Sequence, residues 1–124
     1  MESQEKSYAT PKLNLDELLV RVDGDRELLG ELLSLFKQEF PKSFEDLKQA
    51  IAHDDIAEVA VLSHTLKGVL LNLAAAEAAD SVSRLEHLAH HGDRTARKAA
   101  FATLEHDIEA LLPEIDRHIV KAQP

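Results

Sequence analysis

Apolar residues recur along this chain at alternating spacings of three and four, broken by short polar or glycine-containing stretches, and the pattern predicts five helices. Asn14, with Glu17 three residues on, can cap a short first helix that ends near Asp23-Gly24. Asp25 caps a second, in which Leu29, Leu33, Phe36, Phe40, Phe44, Leu47 and Ile51 keep one phase across Pro41, so a single helix bent at the proline is expected. Asp55 and Glu58 open a third, with Ile56, Val59, Leu66, Leu70 and Leu73 along its core side and small Ser63 between them. A fourth runs from about Glu77 to His91 on Val82, Leu85 and Ala89 and stops at Gly92. The fifth carries Phe101, Leu104, Ile108, Leu111, Ile115 and Ile119, again in phase across a proline, Pro113. Short connections make consecutive long helices antiparallel neighbours, so the expected fold class is all-α. Residues 1–12 are polar, contain Pro11 and read as a tail or linker, which leaves 13–122 as one folded domain.

Composition agrees and removes several classes of function. With 124 residues, 44% of them hydrophobic, the chain is long enough for one core, and sparse aromatics favour a bundle over a sandwich. A net charge of −9 leaves no basic stripe for nucleic acid. There is no cysteine, hence neither disulfide nor thiolate metal site. No run approaches the ~18 apolar residues of a membrane span, and the polar start lacks a signal-peptide core, so a cytoplasmic protein without direct membrane insertion is expected. Neither a Walker loop, nor a kinase glycine-rich loop, nor a Gly-x-Ser-x-Gly elbow is present.

The candidate chemistry lies in His64-Thr65-Leu66-Lys67-Gly68. One helical turn takes ~3.6 residues, so His64 points away from the Val59–Leu73 stripe and outward. Its face, made of Ala57, Ala60, Val61, Lys67, Gly68 and Leu71, is small and apolar with one cation, where a solvated face would carry Glu, Lys or Gln. Gly68 costs ~1 kcal/mol relative to alanine inside a helix, which points to something that must approach closely there. Lys67, roughly 5 to 6 Å from His64 at Cβ, disfavours imidazolium by roughly 0.7 kcal/mol in water and 2.8 kcal/mol at an effective dielectric of 20. The expectation is a neutral, nucleophilic ring whose neighbouring ammonium attracts an anion bonded to it, such as a phosphoryl group.

The string His64-Thr65-Leu66-Lys67-Gly68, followed by Asn72-Leu73-Ala74-Ala75, resembles the histidine-containing phosphotransfer domain of multistep phosphorelays. Leu15 to Gly24, Asp25 to Phe40 and Leu85-Glu86 through Gly92-Asp93 extend the likeness over all but the first dozen residues. The resemblance implies an antiparallel up-down four-helix bundle with a short leading N-terminal helix. It also implies that His64 carries a phosphoryl group between receiver-domain aspartates, Lys67 assists electrostatically and Gly68 gives access. The implied partners are response-regulator receiver domains, with a hybrid sensor kinase as a further candidate; the domain itself is expected to be a monomer with no kinase core and no cofactor of its own, the receiver supplying a divalent metal ion. There are two departures from the family pattern: Ala74 stands where glycine is usual, and the segment Val69-Leu70-Leu71 is bulkier than usual. Leu71, with Ala57, Ala60 and Val61, is the expected docking rim.

Other readings of the same residues remain open. The helix face could serve a non-phosphorylated adaptor that binds receivers. His87, His90 and His91, at spacings of three and four, could make a metal-binding bundle, the strongest competing constellation. A chemotaxis-kinase phosphotransfer domain fits less well, since Asn72-Leu73-Ala74-Ala75 looks more like the phosphorelay version. Asn72 is expected to serve backbone groups freed at the helix end, and His53, His106 and His118 read as ordinary polar-face residues.

Overall fold

A computed structural model of the protein describes residues 12–122, so the expected tail, apart from Lys12, lies outside the described residues. Five helices follow in order: α1 (Leu15–Arg21), α2 (Arg26–Ala52), α3 (Ile56–Asn72), α4 (Ala76–His91) and α5 (Arg94–Ala122). The three predicted caps form as read: Asn14 accepts from the Glu17 N–H, Asp25 from Leu28 and Asp55 from Glu58. The long helices close a ring in which α2 packs on α3, α3 on α4, α4 on α5 and α5 back on α2. This is the up-down bundle, with α1 as the short leading helix.

Pro41 and Pro113 lie inside α2 and α5, and each helix continues through its proline. An interior proline costs ~3 kcal/mol or more. Buried stripes on both sides outweigh it: Phe36 and Phe40 before Pro41 with Leu47, Ala50 and Ile51 after it, and Leu104, Ile108 and Leu111 before Pro113 with Ile115 after it. Each of these leucine, isoleucine and phenylalanine side chains contributes roughly 1.5–3 kcal/mol when fully buried. Phe36, Phe40, Phe44 and Phe101 form a ladder of rings with centroids 4.9, 5.1 and 5.1 Å apart, joining α2 to α5.

In α3, Val59, Ser63, Leu66 and Leu70 are buried, and Leu73 continues the stripe into the turn. Ile56 departs from the expected stripe: it is 44% exposed, because as the first residue of α3 it sits at the tip of the α2–α3 hairpin. Ala74 has φ +56°, and the hydrogen bonds from Ala75 N to Leu70 O and from Ala74 N to Leu71 O close the Schellman motif that ends α3. The substituted glycine position therefore keeps its left-handed backbone.

Buried polar groups hold the bundle ends. Arg97, 5% exposed, donates from Nε and Nη2 to Asp54 Oδ1 and from Nη1 to the Leu88 and Gly92 carbonyls, tying the α2–α3 turn to the end of α4. The buried Glu114 carboxylate accepts from the Lys12 and Leu13 N–H groups, and the Lys12 ammonium meets Glu77 at 2.6 Å. Lys12, counted with the tail in the sequence, is thus fastened to the bundle. α1 is fastened beside it, through Asn14 N to Ala74 O.

Candidate functional site

His64 occupies the middle of α3 with its side chain 71% exposed, as its helical phase requires. Its Nδ1 lies 3.0 Å from Glu86 Oε2 on α4. The other oxygen, Glu86 Oε1, is 3.0 Å from Lys67 Nζ, so one carboxylate joins the histidine to the lysine one turn further along α3. The Lys67 hydrogen bond is the main reason the Glu86 carboxyl titrates below its ordinary value, with the His64 hydrogen bond adding to it against partial desolvation. A carboxylate only accepts, so the proton between His64 and Glu86 sits on Nδ1. That leaves the lone pair on Nε2, for which the described residues supply no hydrogen-bond partner.

This arrangement changes the electrostatics expected from sequence. Lys67 does not act on the ring as a bare cation, because its charge is met by Glu86. Nothing in the helical phase of α3 points to Glu86, which enters the sequence analysis only within the segment Leu85-Glu86 through Gly92-Asp93. One signal was available: in a hairpin turning at Leu73–Ala75, His64 lies about as far before the turn as Glu86 lies after it.

Gly68 follows one turn after His64, and a Cβ built on it would meet nothing within 4 Å among the described residues. Nothing among the described residues requires a glycine here. Val61, His64, Gly68 and Leu71 form an outward ridge along α3, with Val61 61% and Leu71 52% exposed. Of the other two docking candidates, Ala57 is exposed while Ala60 is partly buried against the core. Asn72 differs from its expected part. The Leu71 and Asn72 carbonyls at the end of α3 accept from the Arg21 guanidinium at 2.9 and 2.7 Å, so α1 supplies that cap.

On the α2 side of the ridge runs an apolar groove of about 360 Å³, lined by Leu32, Leu35 and Phe36 of α2 and by Leu62, Thr65 and Val69 of α3, among others. Leu28, Leu32 and Leu35 are each 40–47% exposed along α2. Helical periodicity gives the adjacent positions Leu29, Leu33 and Phe36 to the core and leaves these leucines without an assigned role. The signal was an apolar arc wider than one core stripe.

His87, His90 and His91 form no comparable site among the described residues. The His87 and His91 rings stack with centroids 4.4 Å apart, and His91 Nδ1 donates to the His87 carbonyl of its own helix. No group of three or more metal-ligating side chains converges among the described residues. His53 likewise donates from Nδ1 to the Gln49 carbonyl. No described helix is long and apolar enough to cross a membrane.

A family model described as the Hpt domain matches residues 31–114, well over half of the chain, and the protein belongs to that family. The matched span contains His64, Lys67, Gly68 and Glu86. Hpt domains are phosphocarrier modules of two-component phosphorelays and carry no kinase core. The curated proteins and the solved structures compared with the chain yield no match.

Proposed function

We propose that His64 accepts a phosphoryl group from the aspartyl phosphate of a response-regulator receiver domain and passes it to a second receiver. The observation that carries this reading is the state of the ring: protruding from the bundle, fixed at Nδ1 by Glu86, and open at the nitrogen that bears the lone pair. Such a ring is presented in one tautomer and one orientation, which lowers the cost of reaching an in-line geometry with the donor phosphorus. Lys67, released from Glu86, meets the charge on the migrating group, and Gly68 leaves the space the receiver active site needs to close over it. The receiver supplies the divalent metal ion, and the carrier contributes no cofactor.

The receiver docks on the ridge of Ala57, Val61 and Leu71 and extends onto Leu28, Leu32 and Leu35 beside the groove. Exposed aliphatic area around a single reactive group suits a partner that must bind modestly and leave quickly. A monomer working in the cytoplasm, with the α3 ridge open, is the corresponding state, and residues 13–122 are the unit that performs the transfer; a hybrid sensor kinase is a second source of receivers. The experiment is incubation with a panel of phosphorylated receivers. Acid-labile, base-stable label on the carrier supports the reading, and binding without any transfer of label supports the adaptor instead.

A further inference from the structure

Nδ1 of His64 faces a carboxylate, and the charge of that partner bears on what happens after phosphorylation. In the accepting step the Nε2 lone pair attacks phosphorus. The Nε2–P bond forms while the P–O bond to the receiver aspartate breaks, and that electron pair leaves on the aspartate carboxylate. The ring becomes positively charged and its Nδ1 proton stays where it was. In the donating step the Nε2–P bond breaks and its electron pair returns to Nε2. The ring then leaves as neutral imidazole if Nδ1 is protonated, and as imidazolate, a far poorer leaving group, if it is not.

Resting on the phosphocarrier reading, we propose that Glu86 is a positioning residue that keeps the proton on Nδ1 of phosphorylated His64, so that the carrier gives up its phosphoryl group as readily as it takes one. A negative charge 3.0 Å from Nδ1 favours the protonated, cationic ring. The proton is lost as pH rises, and the carboxylate moves that loss to higher pH. Among the described residues, Lys67 and His64, both from α3, are the charged or titratable groups that act on Glu86, and α5, which also packs on α4, contributes none. Lys67 opposes the protonated ring, but its ammonium is turned to the far oxygen of Glu86 and is drawn to the phosphoryl dianion once that group is present.

The protonated phosphoimidazole also reacts faster with water, which gives a readout that needs no receiver. Wild-type protein and Glu86→Gln are loaded with phosphoramidate, the label is mapped to His64, and its loss is followed from acid to alkaline pH. Glutamine keeps the size of the side chain and an oxygen to accept from Nδ1–H, and it removes only the charge. The rate is expected to fall with rising pH in both proteins, with the midpoint about one pH unit lower in the variant and its phosphohistidine about threefold longer-lived halfway between the two midpoints, approaching tenfold above both. Superimposable profiles on labelled His64 overturn the role of Glu86 and leave the carrier reading standing. Label that never reaches His64 overturns both.

Discussion

His64 and Glu86, 22 residues apart in the chain, meet across the α3–α4 seam with Nδ1 3.0 Å from Oε2, and Lys67 holds the second oxygen of the same carboxylate. Because the Glu86 carboxyl titrates below its ordinary value of 4.5 in the folded protein, its contribution to stability is present above that value and is lost as pH falls through the folded pKa. Glu86 is largely but not fully covered, so the contribution is about 1 kcal/mol or less. Urea denaturation of wild type and Glu86→Gln is expected to show wild type the more stable at neutral pH and the gap closing in acid. A gap that persists unchanged into acid counts against the pair.

Lys67→Ala removes the ammonium and leaves Glu86 facing His64 alone. Phosphoryl transfer is expected to slow about tenfold, the loss of one charge from the migrating group in a site still open to water, while receiver affinity changes little. Rapid-quench rates set beside calorimetric affinities separate the two effects; equal losses in both would make Lys67 a docking residue.

Gly68 separates folding from function. Alanine there finds open space and improves helix propensity, so Gly68→Ala is expected to raise stability by about 1 kcal/mol. Transfer from a receiver should slow all the same, and slow further with the larger Gly68→Gln. A stabilised variant with undiminished transfer would show that the glycine serves no partner.

Much of the fold was legible because it rests on local rules. Asn14, Asp25 and Asp55 cap the helices they were expected to cap, and the phase of Leu29 to Ile51 carries α2 through Pro41 as one element. His64 faces outward for the same reason, since helical phase alone sets it. Glu86 was not legible by that route, because it reaches the site only through the pairing of two helices. Arg97 with Asp54 and Glu114 with Lys12 were invisible for the same cause: each joins distant segments, and neither partner announces the other. Ile56 shows the opposite failure, a residue in phase with the core at a hairpin tip where it stays 44% exposed.

Ala74 carries strain that the sequence could only hint at. Its φ of +56° places a Cβ in the left-handed region, which costs roughly 1–2 kcal/mol for residues other than glycine. Ala74→Gly is expected to return about 1 kcal/mol and to raise the melting temperature by about 3–5 °C, read by calorimetry. An unchanged or lowered melting temperature would mean that the methyl group contributes more in packing than the backbone loses.

The carrier reading stands or falls on a single ring. Wild type and His64→Gln, both confirmed folded by circular dichroism, are mixed with a cognate phosphorylated receiver and the label on each is counted. The account predicts rapid labelling of wild type and none of the variant, with the receiver still bound by both. Label retained after His64→Gln would contradict it.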